Sequence, residues 1–275
     1  MRRPVALITL VTFGYAFLYL PILTLVAYSF NASDRVMIWQ GFSTRWYSAL
    51  LADEQILGAA WLSLEIAVMN ATLATALGLM GGYVMVRFGR FRSRALFSAM
   101  LAAPLVVPEV ITGLSLLMLF IALESAIGWP GGRGVTTITI AHITFSTAYV
   151  AVVVQSRLSQ LDPAMEEAAM DLGARPWRTF FLITVPLLAP ALVAGWLLAF
   201  TLSIDDLVIA SFVSGPGAST LPMVIFSKVR LGLSPEVNAL ATLLIAAVII
   251  GVSVAMVISA RRGLGGGTTD ATRAS

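Results

Sequence analysis

"EEAAMDLGARPWRTFFLITVP", residues 166–186, interrupts a chain otherwise dominated by long apolar runs. Just upstream, Asp162-Pro163 starts a helix, with Asp as N-cap and Pro at the first helical position. Glu166 and Glu167 fall in its early turns, where carboxylates suit the positive end of the helix dipole. Met165, Ala168, Ala169 and Leu172 recur at helical spacing and give it one apolar face. Gly173 supplies the stop, because glycine accepts the left-handed conformation that closes a helix. Pro176 then opens a second helix, "PWRTFF", which turns the chain back toward its next apolar run. The spacing therefore predicts a short amphipathic helix over 162–173. Ala168, Ala169 and Gly173 leave room for another backbone, while Glu167 offers it a charge. A helix that merely rests on lipid headgroups is usually rich in Lys and Arg. This one is acidic in its body, which favours docking to a protein.

The flanking runs set the class. Of the 275 residues, 59% are hydrophobic and 11% charged, and the mean hydropathy is +0.92. A water-soluble domain carries about 25% charged residues. Lipid requires backbone hydrogen bonds to close within the spanning structure, as a helix or a closed barrel. The runs exceed the roughly 10 residues of a barrel strand and do not alternate. An all-α membrane protein follows. Six spans are expected, at about 5–30, 58–86, 95–123, 135–154, 187–213 and 237–260, each near the roughly 20 residues that cross a bilayer. Residues 1–263 form one domain, and the tail 264–275 reads as disordered. The N-terminal run is too long for a signal peptide and is expected to stay as an anchor.

Charge gives the orientation. With the N-terminus inside, twelve of the seventeen Lys and Arg fall on inner segments, and only Arg35, Arg45, Arg133, Lys228 and Arg230 lie outside. That bias places both termini and the 158–186 loop in the cytoplasm. It also accounts for the net charge of +3 without nucleic acid. Trp39, Trp46, Tyr47 and Trp129 fall at the outer interface, as an aromatic belt would. The absence of cysteine excludes disulfides and thiolate chemistry, and a single histidine leaves little for a zinc site. No metal or cofactor site is expected on this chain.

Two intramembrane features carry polar chemistry. "FTLSIDDLVIASF" puts Asp205 and Asp206 in the outer half of span five. A charge within hydrocarbon costs at least about 2–3 kcal/mol on insertion scales, so such groups face water, protein or a cationic ligand. Adjacent helical positions lie about 100° apart, so one acid can line a pathway while the other holds a neighbouring span; the alternative is that the two only cap or pair structurally at a subunit interface. In "APLVVPEVITG", Pro104 and Pro108 disturb span three, and Glu109 stands where a helix restarts. No Lys or Arg lies in a span core to neutralise these groups. The path is net negative and favours cationic cargo. Glu65 near the outer end of span two is read as snorkelling, and His142 as hydrogen-bonded within the bundle. The loop over 214–236 is left open between a gate that dips into the outer interface and an ordinary loop with a short interfacial helix.

"EAAMDLGARPWRTFFLITVP" resembles the EAA motif of binding-protein-dependent ABC importer permeases: Glu167, Ala168, Ala169, Gly173, Ile183 and Pro186 match, and Val185 stands where Leu is usual. "YLPILTLVAYSFN", "RWYSALL", "APLVVPEVITGLSLLMLF" and "GWLLAFTLSIDDLVIASFVSGPGASTLPMVIFS" extend the resemblance to the polyamine branch, its putrescine permease subunits in particular. The resemblance implies a type I ABC importer permease-like bundle in a bacterial inner membrane, without catalytic residues of its own. Implied partners are a related permease subunit, two copies of a cytoplasmic ATPase that hold ATP and magnesium, and a periplasmic polyamine-binding protein. It implies that Glu166, Glu167, Ala168, Ala169, Asp171 and Gly173 couple to the ATPase. It further implies that Trp46, Glu109, Ser203, Asp205 and Asp206 meet the cargo, putrescine or spermidine.

Three rivals are weighed. A permease for another cation such as iron(III) would keep the docking helix. A secondary transporter would carry its own repeat and coupling-ion site, and no internal repeat is found. An intramembrane aspartyl protease needs two facing carboxylates from different spans, and does not need the 162–173 element. No G-x-x-x-x-G-K-[ST] pattern occurs, so ATP is expected to be handled by another chain.

Overall fold

A computed structural model describes residues 2–35, 38–231 and 235–265; the tail read as disordered lies, from residue 266 onward, outside the described residues. In chain order the helices are α1 (Arg2–Tyr28), α2 (Arg45–Ala52), α3 (Glu54–Arg87), α4 (Arg94–Val106), α5 (Glu109–Ile127), α6 (Val135–Leu158), α7 (Ala164–Asp171), α8 (Pro176–Thr179), a π-helical turn (Phe180–Thr184), α9 (Val185–Ile204), α10 (Val208–Val213), α11 (Leu221–Leu231) and α12 (Pro235–Gly265). Among the described residues there is no strand beyond an isolated bridge between Asn31 and Phe42. The protein is all-α.

Five described helices are long and apolar enough to cross a bilayer: Leu7–Tyr28, α3, α5, α6 and the continuous run Pro176–Ile204. Of the other apolar helices, α4 has 13 residues and is shorter, while α12, Pro235–Gly265, has 31 residues and covers the stretch 237–260. Two stretches read as single spans are divided. The first, over 95–123, breaks at Val107–Pro108. Pro108 lacks an N–H and forces the preceding residue out of the helical region, and Val107 accordingly sits at φ −78°, ψ 129°. The second, over 187–213, begins as helix already at Pro176 and ends at Ile204. Asp206 there diverts its carboxylate to the amides of Ile209 (3.2 Å) and Ala210 (2.7 Å), competing with the helical ladder and starting α10 afresh.

The chain divides into two compact units, residues 1–54 with 227–275, and residues 55–226. In the first unit, α12 packs on α1 and α2. Asn31 organises the turn between α1 and α2: its side chain donates to the Ile38 carbonyl and accepts from the amides of Ser33 and Gln40. Lys228 closes this unit by pairing with Asp53 at 2.7 Å and Glu236 at 3.4 Å.

The second unit is built around α6, whose most apolar window is 61% buried. Association of helices in lipid relies on close packing through small residues. On α3, Ala67, Ala71, Ala74, Gly78 and Gly82 are buried at helical spacing. A β-carbon at Gly78 would stand 2.6 Å from Val150 Cβ, and one at Gly82 2.8 Å from Val154 Cγ1. From α9, Gly195 comes against the same Val150. A polar tie crosses this seam: Asn70 donates to Ser146 Oγ (3.1 Å) and to the Ala199 carbonyl (2.8 Å). A second cluster, with Ile66, Phe120, Ile138, Phe145, Ile209 and Val213, joins α3, α5, α6 and α10.

Candidate coupling element and acidic helix breaks

The 162–186 segment folds into a compact elbow. α7 opens at Ala164, one position later than the sequence pattern puts it, with Asp162 Oδ1 accepting from the Ala164 amide at 2.9 Å. Its end is a Schellman closure. Gly173 adopts φ +87°, its amide donates to Met170 O (2.9 Å), and the Ala174 amide reaches back to Ala169 O (3.0 Å). Pro176 begins α8, which continues through the π-helical turn into α9.

The expected coupling residues part company in direction. Glu167, Ala168, Asp171 and Gly173 are exposed, and Ala169 is half-buried. The apolar face of α7 is uncovered within the chain: Met165 is 54% and Leu172 90% exposed. Ala169, Leu172, Gly173, Arg178, Leu182 and Ile183 help to line a cleft of 420 Å³. Glu166 points the other way and is buried. Its carboxylate takes Arg87 Nε at 3.0 Å, Arg87 Nη2 at 3.3 Å and the Thr184 hydroxyl at 2.9 Å. An i, i+1 pair on a helix cannot face the same way. Of this adjacent pair, the exposed carboxylate is therefore that of Glu167.

The acids also separate. Ser203 is buried and its Oγ lies 2.7 Å from His142 Nδ1, so it is an internal partner with no open face. His142 Nε2 lies 3.1 Å from Asp206 Oδ2. A carboxylate only accepts, so Nε2 donates to Asp206, and in the neutral ring Nδ1 accepts from the Ser203 hydroxyl. Asp206, occupied by His142 and two backbone amides, knits α6 to the α9–α10 break. Asp205, the last-turn neighbour, is exposed, and so is Glu109 at the start of α5. The two breaks are neighbours: Gly113, one turn beyond Glu109, lies against Ile209 and Phe212 of α10. Trp46 belongs to the other unit. Its indole N–H donates to Asn31 O at 2.7 Å, and the Arg45 guanidinium covers its ring at 4.3 Å.

Two participants escaped the sequence reading. Arg87 looked like one more inner-side charge, and Thr184 like a residue of an apolar helix start. Neither carries a local pattern that announces a pairing 79 or 18 residues away.

Residues 74–262 match the family model described as "Binding-protein-dependent transport system inner membrane component". The chain is 61% identical over 241 residues to the putrescine transport system permease protein PotI of Escherichia coli strain K12, covering 88% of this chain and 86% of that one. It is 45% identical over 231 residues to the spermidine/putrescine transport system permease protein PotC of the same strain, covering 84% and 85%. Among solved structures, a bacterial ABC transporter for the import of the acidic polysaccharide alginate superposes with a TM-score of 0.71 at 18% identity, over 92% of this chain and 96% of that one. The MetNI methionine ABC transporter superposes with a TM-score of 0.58 at 17% identity, over 75% and 95%. These two likenesses concern the fold.

Proposed function

The chain belongs to the binding-protein-dependent transport system inner membrane component family, and from that premise we propose that it is the permease subunit of an ATP-driven importer of putrescine or a closely related polyamine. The observation that carries this reading is the 61% identity to PotI across most of both chains. The 45% identity to PotC favours the same cargo class. The setting is a bacterial inner membrane, with α7 on the cytoplasmic side.

The chain itself performs no covalent chemistry. Its sequence has no G-x-x-x-x-G-K-[ST] loop, and ATP with magnesium is held by two copies of a cytoplasmic ATPase. The exposed face of α7, with Glu167 beside small Ala168 and Gly173, is the docking surface for one of those copies. A related permease subunit completes the path, and a periplasmic binding protein delivers the cargo. Closure of the ATPases moves α7, the bundle opens outward, and the cation descends past carboxylates before release inside. Glu109 and Asp205 are exposed at adjacent helix breaks, with no described Lys or Arg bonded to either, so both stay available to an ammonium group. Separated carboxylates suit separated ammonium groups better than they suit an anion.

Uptake of radiolabelled putrescine into proteoliposomes holding the complete importer tests the path. Asp205→Asn and Glu109→Gln are each expected to lower the rate at least tenfold while the complex still assembles. Unimpaired uptake in both variants would refute the acidic route.

A further inference from the structure

An eight-residue helix is too short to be rigid by itself, yet α7 must carry force if the proposed function holds. Its anchorage is therefore the part of the elbow that demands explanation. Glu166 in its first turn is buried, and it is saturated by three donors from two other elements. Arg87, the last residue of α3, closes on it with two nitrogens, and the pair is largely shielded, with side chains 16% and 11% exposed. Two-pronged guanidinium–carboxylate contacts fix direction as well as distance. The third donor, Thr184, is the last residue of the π-helical turn. One residue added to a helical turn swings everything before it by about 100°. That swing sets the register in which Phe180 meets Tyr83 edge to face at 4.9 Å while Thr184 meets Glu166. Tyr83 and Arg87 are one turn apart on α3, so the end of α3 grips both sides of the elbow.

We infer that Arg87, Glu166 and Thr184 form the joint that transmits movement of α7 to α3 and α9, and that they are positioning residues for ATP-coupled transport. The inference rests on the functional reading above. It assigns Glu166 a task different from docking: Glu167 meets the partner, and Glu166 makes the docked helix move with the bundle. A loosened joint lets the ATPase cycle without turning the bundle. It thus separates hydrolysis from uptake, which a merely structural ion pair would not do.

The experiment measures ATP hydrolysed per putrescine imported in proteoliposomes holding the complete importer. Arg87→Gln and Glu166→Gln should raise that ratio at least tenfold, with the ATPase still co-purifying. The exchanged pair Arg87→Glu with Glu166→Arg should recover a substantial part of the loss. Thr184→Val, which leaves the ion pair intact, should raise the ratio severalfold. It decides the matter if the charge variants fail to assemble. An unchanged ratio in Thr184→Val, or in assembled charge variants, would overturn the joint. A wild-type importer that takes up no putrescine would instead overturn the functional reading, and the joint with it.

Discussion

Asp205 and Asp206 are chemically identical neighbours with opposite surroundings, and the difference comes from what each can reach. Asp206 finds a histidine and two free amides at the start of α10, whereas Asp205 finds open space. Hydrogen bonds to a charged group are worth about 1.5–3 kcal/mol each way. Asp206→Ala should therefore destabilise the detergent-solubilised chain by roughly 2 kcal/mol in thermal unfolding, while Asp205→Ala leaves its stability within about 0.5 kcal/mol. The sequence made both acids conspicuous, because charge in hydrocarbon is conspicuous. It gave no means of telling which one His142 would take, since that depends on how α6 meets α9 some sixty residues later. Lys228 illustrates the same limit outside the membrane-crossing helices. Partial burial lowers its pKa, but the hydrogen bond and attraction of Asp53, with those of Glu236, outweigh it and hold the ammonium above its ordinary 10.5. A raised pKa stabilises the fold below about 10.5, and the gain is lost as pH climbs through the higher folded value. Lys228→Met should cost roughly 0.5–1 kcal/mol at neutral pH. Its deficit against wild type should vanish in strongly alkaline melts.

Among the elements, the elbow was the most legible. Gly173 after an amphipathic run announced a stop, and the structure supplies the left-handed φ and the paired Schellman bonds that the stop requires. Forcing a β-branched residue into that conformation costs about 1–2 kcal/mol. Gly173→Val should weaken co-purification of the ATPase while leaving membrane insertion unchanged, as judged by protease protection of the termini. The helix breaks were legible in part. Prolines 104 and 108 pointed to a disturbed third span, but only Pro108 ends a helix, whereas Pro104 is accommodated within α4. The end of α9 at Ile204 was not foreseen: capping was an open alternative for the two acids, but an apolar run does not show that the helix stops there for one of them to cap the next turn. The seam of α3 with α6 was legible only as small residues at helical spacing. Gly78→Leu would drive a side chain into Val150 already 2.6 Å from a bare β-carbon. Overpacking of that kind costs about 1–3 kcal/mol and should appear as a lower yield of monodisperse protein.

For the whole molecule, composition alone implied an all-helical chain in lipid, because only closed backbone hydrogen bonding survives there. The arrangement of helices followed less readily: the runs read as 95–123 and 187–213 are each divided by a break, at Val107–Pro108 and after Ile204. In the function proposed above, the exposed carboxylates, the buried joint and the uncovered face of α7 act as one device, a cation path driven by an engine on a separate chain. The decisive measurement is putrescine accumulation in sealed proteoliposomes, compared between this chain with its partner permease alone and the same pair with ATPase, binding protein and ATP. The account predicts accumulation above the external concentration only in the complete, ATP-fed assembly. Accumulation by the permease pair without nucleotide or ATPase would contradict it.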